Sequence, residues 1–241
     1  MKTLENRKDV ICPQLLYLDP NDKFFIETFL PEANLGEARD VSEDEFRGIM
    51  HDFGRNVKSL HDIKLKKFGN IALEGVGQGR FDNWLDMFWD FFPCLEECAK
   101  EINMDEATYE RIKEIYAEQK DYLIAFNDPR LLHADLSYNN TRVCPKNGKW
   151  SFSGLIDFAD ALAGDPLFDF GEFLGDCSGS WKEVSLMEET YLDGGKFTTT
   201  QRKLIRFYAV YFCLWWITVT HKEKKEKHSK TLYNLVNMRF E

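Results

Sequence analysis

Within one short stretch of the chain, His133, Asp135, Asn140 and Asp157 have the types and spacing needed to move a phosphoryl group. Phosphoryl transfer requires a base to receive or orient an alcohol, and hard oxygen ligands to hold magnesium on nucleotide phosphates. Asp135 stands five positions before Asn140 in the pattern H-x-D-L-x-x-x-N. A short loop can therefore aim the carboxylate at a hydroxyl while the amide carbonyl faces a metal. Val143 and the segment Trp150 to Ile156, with Gly148 between them, read as a β-hairpin that returns Asp157 to the end of the sheet where Asn140 lies. In the following Gly164-Asp165-Pro166 turn, Asp165 fits a helix N-cap and Pro166 the first helical position, which makes Asp165 a structural residue. Asp169 reads as scaffold. Asp160 stands open between a site carboxylate and an ordinary exposed one.

These residues lie in LLHADLSYNNTRVCPKNGKWSFSGLIDFADALAGDPLFDFGEFL, which resembles the catalytic half of the aminoglycoside phosphotransferase family. That family also includes choline-kinase-like enzymes and is distantly related to protein kinases. The resemblance covers most of the chain. It implies that Asp135 is the catalytic base, that Asn140 and Asp157 bind Mg2+, and that the donor is ATP or another nucleoside triphosphate. His133, Asp165 and Asp169 are then supporting residues, His133 bracing the loop rather than moving a proton. The acceptor implied is a small molecule bearing a hydroxyl.

Earlier in the chain, FFIETFLPEANLGE resembles the strand and hinge that join two kinase lobes, and FGRNVKSLHDI the helix after it. By that analogy adenine would meet the backbone carbonyl of Glu27 and the backbone amide of Phe29. The fold implied is α+β and protein-kinase-like. Residues 1–30 would form a remnant of the N-terminal-lobe sheet with its hinge, and residues 31–241 a mainly helical C-terminal lobe with short β-hairpins at the catalytic site.

A kinase of this kind also needs a Gly-rich loop over the phosphates and a strand lysine held by a helix glutamate. Only 23 residues precede Phe24, too few for those elements, and Lys2, Lys8 and Lys23 do not sit on a recognisable lysine strand. Gly75, Gly77 and Gly79 have the wrong spacing for a phosphate cradle and read as a flexible loop on the substrate side. Two functions follow. One is an ATP- and magnesium-dependent phosphotransferase acting on a small-molecule hydroxyl; the other is a catalytically impaired, truncated kinase-like protein that binds a small ligand.

The elements that must carry these residues are mostly helical. Leu15–Leu18 and Phe24–Phe29 flank the turn residues Asp19 to Asp22 and form a β-hairpin. Ser42 and Glu45 make a capping box, and Phe46, Ile49, Met50, Phe53, Val57 and Leu60 fall at helical spacing. Trp84, Leu85, Phe88, Trp89 and Phe92 form an apolar stripe, read as core, with a stop or kink expected at Pro93. Tyr109 to Phe126 reads as a third long helix leading into the motif loop.

With 241 residues, 44% hydrophobic and 15% aromatic, the chain can bury a substantial core. A net charge of −10 disfavours nucleic acid and is compatible with a cationic acceptor. Glu172, Asp176, Glu183, Glu188 and Glu189 follow the motif and read as a solvated helix face. The six cysteines are dispersed without a C-x-x-C pair, so reduced thiols are expected, and the i, i+4 pair Cys94 and Cys98 reads as packing. The N-terminal MKTLENRKDV lacks the apolar core of a secretory signal, so a cytoplasmic protein is expected. Phe207 to Thr220 is too short for a membrane span and reads as a buried helix. The charged segment His221 to Lys230 reads as a solvated helix end or loop.

Overall fold

The computed structural model describes residues 4, 7–21, 23–30, 33–71 and 79–240. Its first strands, β1 (Leu15–Leu18) and β2 (Phe25–Glu27), pair antiparallel, as their alternation and turn residues predict. Asp19 fixes the turn by accepting the Asn21 N–H at 3.0 Å. The chain then enters β3 (Ala33–Asn34), which pairs with β6 (Thr141–Lys146), itself paired along its length with β7 (Lys149–Leu155). The segment after the first hairpin is thereby tied to the hairpin that carries the motif.

Helix α1 (Glu43–His61) starts at the expected capping box and turns Ile49, Met50, Phe53, Val57 and Leu60 into the core. The aromatic stripe that follows differs from expectation. Leu85–Phe88 is a 3₁₀ turn, and α2 (Phe91–Glu101) begins just after it, with Pro93 inside its first turn. First-turn N–H groups have no intrahelical acceptor, so a residue without an N–H starts this helix rather than stopping one. Trp84 and Phe88 are core, whereas Trp89 is 71% exposed and Phe92 is 43% exposed.

Helix α3 (Glu106–Ala125) is capped by Asp105 and leads to β5 (Arg130–Leu132). A second small sheet has the order β4 (Gly69–Asn70), β8 (Leu162–Gly164), β5. Helices α4 (Leu167–Asp176), α5 (Trp181–Tyr191), α6 (Thr199–Val219) and α7 (Lys222–Val236) complete the helical body. Helix α4 crosses α6 closely at Gly171, where a Cβ would come within 2.3 Å of the Tyr208 Cβ. The charged segment His221 to Lys230 is the mostly exposed first part of α7, a solvated helix end as expected, and further along the same helix Leu232, Leu235 and Val236 reach the core. Among the described residues no helix is long and apolar enough to cross a membrane.

Candidate active site

The loop between β5 and β6 is held from below by α4. Asp169, fully buried near the start of α4, accepts the His133 N–H on Oδ2 and the Ala134 N–H on Oδ1, both at 2.9 Å. His61 Nε2 from α1 lies 3.0 Å from the same Oδ2, and its Nδ1 lies 3.0 Å from the Tyr191 hydroxyl. Ala134 has a φ of +59°, a conformation that disfavours a residue with a Cβ, and the charged acceptor under its N–H offsets that cost.

His133 is buried with Nε2 2.9 Å from the Ile156 carbonyl, so Nε2 carries the proton and donates. Burial lowers its pKa against the pull of Asp169 and the Ile156 carbonyl, which keeps the imidazole neutral. The ring therefore braces the backbone one residue before Asp157.

Asp165 is buried too. It accepts the Leu167 N–H at 2.9 Å and the Tyr208 hydroxyl at 2.8 Å, the latter also receiving the Trp84 indole N–H at 2.8 Å. The N-cap of α4 falls at Pro166 rather than at Asp165 as the sequence predicts, and the Asp165 side chain holds the helix start from one residue further out through the Leu167 N–H.

Asp135 and Asn140 meet directly. The Asn140 amide Nδ2 donates to the Asp135 carbonyl at 3.0 Å and to its Oδ2 at 2.6 Å. Burial raises the Asp135 carboxyl to about 6, opposed by the Asn140 hydrogen bond and assisted by the charges of Asp160, Asp157 and Asp176. The Ile156 N–H donates to the Asn140 carbonyl at 3.0 Å, so the β6–β7 pairing brings Asp157 to the end of the sheet that holds Asn140. Asp157 is exposed, with a φ of +64°, and accepts the Ala159 N–H at 3.4 Å.

Asp157 and Asp135 front two cavities of different character. The first, ≈580 Å³, has Glu27, Thr28, Phe29 and Leu30 on one side and Arg142, Ile156 and Asp157 on the other. The expected hinge residues and the second carboxylate thus share one space. Arg142 was not singled out by the sequence pattern, although it directly follows the Asn140-Thr141 step into β6. The second cavity, ≈370 Å³, is lined by Asp135, Asp90, Asp160 and Glu172 together with Trp89, Tyr211, Phe212, Trp215 and Trp216. Among the described residues, no lysine, arginine or histidine lines it.

Of the acidic residues after the motif, Glu189 is solvated as expected, whereas Glu172 and Glu188 are buried. Glu172 is 6% exposed, and its Oε2 has no hydrogen-bond partner. Burial, followed by the Asp169, Asp135 and Asp160 charges, pushes its carboxyl well up. Glu188 is buried in an ion pair with Arg202 at 2.8 Å, and Asp176 pairs with Lys227 at 2.9 Å. Of the glycine cluster, Gly75 and Gly77 lie outside the described residues. A Cβ on Gly79 would meet the Phe68 carbonyl at 2.0 Å, so that glycine serves a close backbone contact.

The donor set fits a magnesium ion. With the Asn140 Nδ2 committed to Asp135, its Oδ1 is the atom suited to a cation, and Asp157 adds a carboxylate facing the larger cavity. Magnesium takes one or two such protein oxygens and completes its shell with phosphate and water.

A mainly helical body, with a buried carboxylate loop and two hairpins grouped at one end, has the protein-kinase-like fold. A family model described as the phosphotransferase enzyme family matches residues 3–204, and the chain belongs to that family. No curated protein matches it. Among solved structures, the gentamicin complex of APH(2'')-IIa is 23% identical, with 99% of this chain and 78% of that chain covered and a TM-score of 0.59. The streptomycin–ATP ternary complex of APH(2'')-IIa is 21% identical, over 98% and 79% of the two chains, with a TM-score of 0.60. Aminoglycoside phosphotransferase APH(4)-Ia is 16% identical, over 96% and 78%, with a TM-score of 0.58.

Proposed function

We propose that this chain transfers a phosphoryl group from a magnesium-bound nucleoside triphosphate, ATP in the simplest case, to a hydroxyl of a small cationic molecule. The observation that carries this reading is the position of Asp135. A carboxyl raised to about 6 lines an acidic, aromatic cavity and is hydrogen-bonded to Asn140, whose strand runs to the nucleotide-sized cavity. The acceptor would sit in the smaller cavity with its hydroxyl donating to Asp135. As the new P–O bond forms and the bond to the nucleotide breaks, that proton passes to the carboxylate. Asn140 and Asp157 would hold magnesium, which would neutralise charge on the phosphates. Glu27 and Phe29 would offer backbone groups to the base, and His133, Asp165 and Asp169 would keep the loop in place. The β1–β2 hairpin would then belong to the smaller lobe, and the segment after it to the hinge.

A second reading is favoured by one observation: Arg142 is the sole cationic side chain among the described residues lining the larger cavity. On that reading the chain binds nucleotide or acceptor and transfers phosphate poorly, because among the described residues no lysine lines the larger cavity to grip the phosphates. Purified protein, Mg-ATP and a panel of hydroxylated amines separate the two. Thermal shift by Mg-ATP, lost in Asp157→Ala, is expected on both readings, and equal shifts in the two proteins would remove the metal site. Phosphorylated acceptor, lost in Asp135→Asn with nucleotide binding kept, is expected only on the first.

A further inference from the structure

Asp135 lines two cavities, one acidic and one in which lysines stand beside carboxylates. Beyond it from the acidic acceptor cavity lies a space of ≈280 Å³ whose wall includes Ser137, Asn140, Asp176, Lys224, Lys227 and His228. The last three come from α7 at i, i+3 and i+4, so one helical face delivers them together. Both lysines are fixed by their neighbours: Lys227 Nζ lies 2.9 Å from Asp176 Oδ1, and Lys224 Nζ sits 5.0 Å from the centre of the Trp216 ring. His228, 4% exposed, stacks on the same indole at 5.7 Å, and its Nδ1 has no partner.

The remaining lysine in the middle of this helix points elsewhere, Lys225 pairing with Glu101 at 2.7 Å. In a chain of net charge −10, a phosphate near Asp135 would meet Asp157, Asp160 and Asp176. Two ammonium groups bordering the same space offset that repulsion.

We propose that this face of α7 is a phosphoryl subsite, in which Lys224 and Lys227, with the Ser137 hydroxyl, bind the oxygens of the phosphate group exchanged at Asp135. The proposal rests on Asp135 as the reaction centre. It assigns to α7 a charge role that, among the described residues, the larger cavity fills only with Arg142. Lys227, already paired with Asp176, would bridge that carboxylate and the phosphate. His228 carries no charge at neutral pH, since burial and then the two lysines push it down to about 4, so the anion's partners are the ammonium groups. The ring nevertheless reports on the space, because an anion placed there opposes the lysine field and raises its pKa.

The experiment is an NMR titration of the intact protein with inorganic phosphate in magnesium-free buffer at constant pH, with sodium chloride of equal ionic strength as control. The chain's five histidines make the imidazole signals assignable. Saturable shifts of the His228 ring, absent with chloride, are expected. The Lys224→Met/Lys227→Met protein should bind phosphate at least tenfold more weakly, while Lys222→Met, on the same helix outside this cavity, should match the unaltered chain. A His228 ring that stays unmoved in the unaltered protein overturns the proposal, whatever the variants do, as does undiminished binding by a folded double variant. Asp157→Ala separates this from the nucleotide reading. Phosphate binding that survives in that variant supports the α7 subsite even if no Mg-ATP binding is found in any form of the protein.

Discussion

Asp169 Oδ1 accepts the backbone N–H of Ala134 at 2.9 Å and so holds an alanine at a φ of +59°, one residue before the candidate base. The position of Asp135 thus depends on a side chain thirty-four residues further along the chain. The same carboxylate takes the His133 N–H and approaches His61, linking the catalytic loop, α1 and α4 at a fully buried point.

Asp169→Asn tests that link. An amide keeps the shape but can present an oxygen to only one of the two loop N–H groups, and its own NH2 must face the other or His61. The expected loss is about 3 kcal/mol, the scale of a buried hydrogen bond to a charged group plus an unsatisfied donor. Urea unfolding followed by circular dichroism measures it, and a loss below about 1 kcal/mol would mean that the loop does not need this anchor.

Asp135 makes a prediction with two signs. Its folded pKa, about 6, is above the unfolded value, so its neutral form is the one the fold favours. The stability it contributes is complete below the unfolded pKa, near 4, and is lost as pH rises through about 6. Asp135→Asn, with an amide oxygen still able to accept from Asn140, should therefore raise Tm at pH 7.5 and leave it unchanged near pH 3.5. Phosphoryl transfer should vanish in the same variant, whereas in the unaltered protein kcat/KM should rise with pH and level off above about 6. A Tm difference that is flat across this range would place the carboxyl in an ordinary solvated environment.

In the cavity proposed for the acceptor, Glu172 has a buried oxygen with no partner and a carboxyl pushed up by burial and by Asp169, Asp135 and Asp160. An ammonium group entering between it and the Trp89, Trp215 and Trp216 rings favours the ionised form, so binding releases a proton and strengthens as pH rises. Calorimetry of one cationic acceptor in two buffers of different ionisation enthalpy detects that release. In Glu172→Gln the buffer dependence should disappear and affinity should fall about tenfold, on the scale of one charged pair out of water. A buffer-independent heat in the unaltered protein would show that Glu172 does not receive the cation.

How much of this was legible in the sequence depended on the range of the signals. The capping box at Ser42 and Glu45, the hairpin around Gly148 and the spacing of Asp135 from Asn140 are written within a few residues of one another, and the structure has each of them. Pro93 misled because a proline reads equally as a stop or as a first-turn residue until the start of the helix is known. Glu172 and Trp215 read as solvated face and core because their exposure is set by which side of α4 and α6 borders the cavity. That orientation is fixed by a crossing, not by local pattern. The pairing of Lys227 with Asp176 across 51 positions has the same origin.

That crossing makes its own prediction. Gly171 lies on α4 between Asp169 and Glu172, and a Cβ there would come within 2.3 Å of the Tyr208 Cβ and 3.0 Å of the backbone of Ile205 and Ala209. None of these is the mobile end of a flexible side chain, so α4 and α6 must separate to admit a methyl group. The strain expected is about 2–3 kcal/mol, far outweighing the roughly 1 kcal/mol that alanine gains over glycine in a helix interior. Because α4 carries both the loop anchor and the acceptor-side carboxyl, Gly171→Ala should lower Tm and weaken acceptor binding together. Nucleotide binding, proposed for the cavity lined from β2, β6 and the segment after β7, should change least. Thermal unfolding with parallel titrations of acceptor and Mg-ATP checks both halves. An unchanged or raised Tm would mean that the two helices are not in contact at Gly171.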